Sequence, residues 1–134
     1  MPANPYAIYL EADVLTAEPV ELVRTLYRGA LGAVRDARGC LAAADIPGRS
    51  AAVSKSVNII RELVSAINPA PEPGLARNLL ELYDYMQRRL LAAHLSPSDA
   101  PLNEVEGLLV TLAEAWDRVE VFEAPGSTMV QQAG

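Results

Sequence analysis

The chain has one cysteine, one histidine, one tryptophan and one phenylalanine among 134 residues. It also has no apolar run near the roughly 18 residues that a membrane span requires. Cys40 on its own forms no internal disulfide, so nothing demands an oxidising compartment. With no His or Cys near it in sequence, it reads as a small apolar residue on a helix. The N-terminal MPANPYAIYLEAD lacks a basic stretch followed by a long apolar one, so the chain is expected to stay in the cytosol. His94 has Leu91 three residues before it, which excludes the Glu-x-x-His pairs of a di-iron bundle. It is expected to be a polar residue facing the C-terminal end of its helix. Walker, GxGxxG, GxSxG and HExxH motifs are all missing, and Gly29, Gly32 and Gly39 are spread along a segment rather than grouped in a phosphate-binding turn. No catalytic residue, metal ligand or cofactor is expected.

Charge excludes two partner classes. With 17 acidic side chains against 11 basic ones and a net charge of −6, the surface repels phosphate backbones and anionic headgroups. Neither nucleic acid nor membrane insertion is expected. Arg61, Arg77 and Arg88-Arg89 are too sparse and too mixed with acids for a nucleic-acid stripe. The carboxylate pairs Glu104/Glu106 and Asp117/Glu120 read as solvated faces rather than acid-base sites.

What is present is regular punctuation. Breaks fall at Glu18-Pro19, Asp45-Ile46-Pro47-Gly48, Asn68 to Gly74, Ser96 to Pro101 and Pro125-Gly126. Each segment between them carries apolar residues at alternating steps of three and four, which puts one stripe on a helix. The stripes read Val23, Tyr27, Ala30, Val34, Ala37, Leu41; then Val53, Val57, Ile60, Val64, Ile67. The third is Leu75, Leu79, Leu82, Met86, Leu90, Ala93, and the fourth Leu102, Val105, Leu109, Leu112, Trp116, Val119. Pro19, Pro73 and Pro101 suit first helical turns, and Asp45 and Asp99 suit N-caps. No strand alternation occurs.

The spacing predicts helices over about 19–44, 47–68, 73–95 and 100–122. Joined by short connections, they make an all-α, antiparallel up-down-up-down four-helix bundle in one domain, residues 1–123. Residues 4–15 are expected to add a short helical segment packed on the bundle, and residues 124–134 to be a mobile tail. The last three helices carry more apolar residues than one seam uses: Ile59 and Leu63, then Leu80, Tyr83 and Leu91, then Leu108 and Val110. Two uses compete, a wider core stripe, which composition alone favours, and a second groove that an amphipathic partner helix would cover.

Five blocks then carry a resemblance: NPYAIY (4–9), EPVELVRTLYRGAL (18–31), SKSVNIIREL (54–63), LLELYDYMQRRLLAAHL (79–95) and LNEVEGLLVTLAEAWDRV (102–119). In order and spacing they resemble the FliS family of flagellar secretion chaperones. Glu18 stands where that family often has Ser or Thr, His94 where it usually has Asn, and the loop LSPSDAP is richer in proline. The resemblance implies a cytosolic export chaperone that binds the disordered C-terminal segment of flagellin in an apolar groove, prevents premature polymerisation, and delivers it to the flagellar type III export apparatus. By matching blocks, Val57, Ile59, Ile60 and Leu63 would line one wall, with Tyr83, Leu108 and Leu112 opposite. Asn58 would hydrogen-bond the peptide, and Tyr6 and Tyr9 would contact or gate it. A component of the flagellar export gate and, when unliganded, a second copy of the chain are the further candidate partners. The alternative reading is a helical adaptor or self-associating bundle without flagellin specificity.

Overall fold

The computed structural model describes residues 19–118; the expected segments at 4–15 and 124–134, and Tyr6, Tyr9 and Val119, lie outside them. Four α-helices follow one another: α1 (Val20–Ala42), α2 (Ile46–Ala66), α3 (Pro73–Leu95) and α4 (Asp99–Asp117). Among the described residues there is no strand. Each helix packs on its sequence neighbours and α4 closes on α1, while the backbones of the diagonal pairs do not approach. This is the expected up-down-up-down bundle. α1 and α2 make the most extensive pair, since Ala30, Ala33 and Ala37 are buried on α1 and Ala52 on α2, and short side chains let two helices come close.

Local chemistry sets the helix limits. Asp45 caps α2, its carboxylate accepting from the Gly48 N–H at 2.9 Å, with Pro47 in the first turn. A Cβ on Gly48 would stand 2.3 Å from Asp45 Oδ2 and 2.8 Å from Cys40 Sγ, so this cap needs glycine. At α4 the expectation changes. Ser98, in extended conformation, is the N-cap, accepting from the Ala100 N–H, and Asp99 is already helical. Asp99 is held there by Arg38 from α1. The α1–α2 connection turns through Ala44, whose φ of 57° is left-handed and unusual outside glycine.

The core follows the stripes on α1 and α4 as read, with Leu41 only half-buried. On α2 and α3 it is turned. α2 buries Val53, Val57, Ile60 and Leu63, leaving Val64 and Ile67 at the edge; α3 buries Ala76, Leu79, Tyr83, Met86, Leu90 and Ala93, leaving Leu75 and Leu82 at the edge. Leu63 and Tyr83 therefore belong to the core. At the bundle centre the Tyr27 and Tyr83 hydroxyls hydrogen-bond across the α1–α3 diagonal, and the Trp116 ring packs 6.2 Å from that of Tyr27. Burial raises Tyr27 to about 12, the neighbouring Tyr83 hydroxyl and Trp116 indole pulling it back only in part. Burial likewise pushes Tyr83 well above its ordinary value, and the charge Tyr27 would carry adds to it.

Candidate partner-binding surface

The proposed groove residues divide by burial. Val57, Ile60, Leu63, Tyr83 and Leu112 are packed in the core. In this state they are not open to a partner's segment. The reason is rotational: on α2 the core-facing arc runs through Ser56, Ile60 and Leu63, and on α3 a four-residue step from Leu79 turns Tyr83 inward. Asn58 is exposed, and Ile59 and Leu108 are half-buried.

Those three do not share one groove, because α2 and α4 lie on a diagonal. Ile59 leans over α1, where a Cβ on Gly29 would meet its Cδ1 at 3.3 Å. Leu108 stands one turn beyond Glu104 on the flank facing α3. There Glu104 accepts from the Tyr85 hydroxyl at 2.6 Å and from Arg89 Nε at 2.7 Å. These two donors, Tyr85 first, lower the Glu104 pKa, and the same bond raises that of Tyr85.

The surface that the sequence reading missed is a furrow along α1 and α2. At one end Leu22, Leu26, Glu62 and Ala66 line a shallow cavity of about 200 Å³. Gly29 and Ile59 follow, and then a larger open cavity of about 550 Å³ between Asp36, Gly39 and Cys40 of α1, Ala43 just past its end, and Ala51 and Lys55 of α2. The signal was legible: Leu22, Leu26, Gly29, Asp36, Cys40 and Ala43 fall on one face of α1, and Ala52, Lys55, Ile59, Glu62 and Ala66 on one face of α2. Of the scattered glycines, Gly39 lines the larger cavity, and Gly29 lets Ile59 lie close against α1.

Its electrostatics are mixed. Arg35 and Lys55 stand against Asp36 and Asp45 on the rim of the larger cavity. Cys40 is half-buried; partial desolvation first, then the nearby Asp45 carboxylate, raises its thiol pKa. Arg35 is tied to α4, donating to Glu106 at 3.1 Å. Arg38 donates through Nε and Nη2 to the two oxygens of Asp99, both at 2.7 Å, and through Nη1 to Glu106 at 2.8 Å. Hydrogen bonds from Arg38 lower the pKa of both Asp99 and Glu106, with Arg35 adding to the latter. Glu104 and Glu106, read as solvated, therefore fasten α4 to α3 and to α1.

No group of three or more His, Cys, Asp or Glu side chains among the described residues could hold a metal ion. No helix among them is long and apolar enough to cross a membrane.

Comparison with known proteins gives the family. The model of the flagellar protein FliS matches residues 2–122. The chain is 40% identical over 113 residues to the flagellar secretion chaperone FliS of Salmonella typhimurium, covering 84% of each chain. It is 36% identical over 113 residues to the FliS of Bacillus subtilis, again 84% of each, and 34% identical over 112 residues to FliSB of Pseudomonas aeruginosa, 84% of this chain and 89% of that one. The chain belongs to the FliS family of flagellar secretion chaperones. It is a chaperone and not an enzyme.

Proposed function

We propose that this chaperone holds the disordered C-terminal segment of flagellin in the bacterial cytosol, keeps it from polymerising, and hands the subunit to the flagellar type III export apparatus. Membership of a secretion-chaperone family across residues 2–122 carries this reading. The α1–α2 furrow supports it, offering exposed Leu22 and half-buried Leu26 and Ile59. A segment that packs as helices in a filament presents an apolar face before assembly, and covering that face removes the hazard. The segment orders as it docks, at a cost on the order of 2–5 kcal/mol, so the contact has to be long. Of the groove residues first proposed, Ile59 is assigned direct contact in the furrow and exposed Asn58 a place beside it, whereas Leu108, on the α4 flank facing α3, lies away from it. Val57, Ile60, Leu63, Tyr83 and Leu112 shape the walls from within. Tyr6 and Tyr9 are assigned contact or gating.

The test is calorimetric titration of the chain with full-length flagellin and with flagellin lacking its C-terminal segment. Binding to the full-length protein alone is expected, weakened at least tenfold by Ile59→Glu. Undiminished binding to the truncated form defeats the proposal.

A further inference from the structure

The end of the bundle formed by the α1–α2 and α3–α4 connections concentrates two kinds of anomaly. Four large apolar side chains are exposed among the described residues, and three of them are here: Ile46 (60% exposed), Leu91 (46%) and Leu95 (82%). Three buried side-chain nitrogens among the described residues lack a hydrogen-bond partner, and two are here: Arg49 Nε and His94 Nδ1. Their placement follows from topology. α2 and α3 are antiparallel neighbours of nearly equal length, so the first turn of α2 lies beside the last turn of α3. Ile46 and Arg49 are three apart on α2, and Leu91, His94 and Leu95 are three and four apart on α3, so each set shares a face.

Arg49 is the decisive residue. It is only 6% exposed, yet none of the ion pairs among the described residues includes it. Arg35 and Arg38, at the same end, are both paired to carboxylates of α4. A buried cation is costly unless an anion or several acceptors meet it. His94 stands in the last turn of α3, as expected, and its buried Nδ1 has no hydrogen-bond partner.

We propose that this end of the bundle is a docking site for a partner protein segment that pairs apolar side chains with a carboxylate. Leu91, Leu95 and Ile46 take the apolar part, and the Arg49 guanidinium takes the carboxylate. Charge complementarity selects this occupant: Arg49, held by no ion pair, stands at the same end of the bundle as three exposed apolar side chains, in a protein whose net charge of −6 otherwise repels acids. The site does not depend on flagellin occupying the furrow.

The probe is N-acetyl-leucyl-leucine with a free carboxylate, compared with its C-terminal amide, each titrated to about 10 mM into isotopically labelled full chain. The carboxylate form is expected to shift the Arg49 side-chain N–H signal and the Leu91 and Leu95 methyl signals, binding at least tenfold more tightly than the amide. Arg49→Met keeps the apolar stem and removes the charge. It is expected to abolish that discrimination while leaving the melting temperature unchanged or raised, whereas an Arg49 that serves the fold alone would lower it. Leu95→Ser, on a side chain 82% exposed, is expected to weaken both probes equally. Equal shifts from the two probes, no shift at Arg49, or discrimination that survives in Arg49→Met overturns the proposal.

Discussion

Replacing Tyr27 by Phe removes one oxygen atom from the centre of the bundle, and the consequence can be worked from its surroundings. The Tyr27 and Tyr83 hydroxyls are each other's hydrogen-bond partners across the diagonal, at residues 0% and 1% exposed. Tyr27→Phe leaves the Tyr83 hydroxyl buried without a partner, which costs about 1–3 kcal/mol. Tyr83→Phe leaves the Tyr27 hydroxyl beside the buried Trp116 indole N–H, the donor that already pulls its pKa back and is too poorly aligned for a full hydrogen bond. That donor can turn to it, so this variant is expected to lose less. The double variant carries no orphan hydroxyl and forfeits only the net worth of one bond, about 0.5–1.5 kcal/mol. The two single costs should therefore exceed the double cost by about 1–2 kcal/mol. For a domain of this size each kcal/mol moves the melting temperature by about 3–5 °C. Urea unfolding followed by circular dichroism at 222 nm measures all four corners without relying on Trp116 fluorescence, which the substitutions would alter. Single costs that simply add would refute a coupled hydroxyl pair, as would a Tyr83→Phe variant less stable than Tyr27→Phe.

The same pair predicts an alkaline limit. A tyrosine whose pKa is raised by folding contributes stability that is whole below the unfolded value near 10 and is lost as pH rises through the folded value, about 12 for Tyr27. Stability should fall across that window, and the Tyr27→Phe/Tyr83→Phe double variant should flatten the fall; an unchanged slope counts against the assignment. Ala44→Gly is expected to stabilise the chain by about 0.5–1 kcal/mol in thermal unfolding, because glycine accepts the left-handed φ of 57° more readily. Gly48→Ala should cost about 1–2 kcal/mol by displacing the Asp45 cap. Most of that cost should vanish in an Asp45→Ala background, where the cap is already lost. Cys40 should react with iodoacetamide at pH 7.5 more slowly than an unstructured peptide thiol, since its raised pKa leaves less thiolate. Mass spectrometry over time reads the difference.

Helix count and topology were legible because they rest on local and periodic physics. Prolines and the Asp45 cap mark ends wherever the chain goes, and a stripe repeating every three and four residues needs only one helix to be recognised. The α1 and α4 stripes read from sequence are the buried ones, apart from half-buried Leu41 and from Val119, which lies outside the described residues. The blocks that carry the family resemblance are strings of residue identity and needed no coordinates.

Which apolar residues face inward on α2 and α3 was decided only when four helices came together. Both helices carry apolar residues on more than one arc, so their own periodicity leaves the rotation undetermined. Packing resolved it by placing Tyr83 opposite Tyr27, where its hydroxyl finds a partner, and Leu63 in the core, leaving Val64 and Leu82 at the edge. Pairing partners were likewise tertiary. Arg38 meets Asp99 and Glu106 across 61 and 68 positions, and the furrow exists because small residues on α1 come to lie against α2. Sequence fixes what each helix can offer to a neighbour, whereas the neighbour fixes which face is spent on the core and which, from Leu22 to Ala43, is left uncovered.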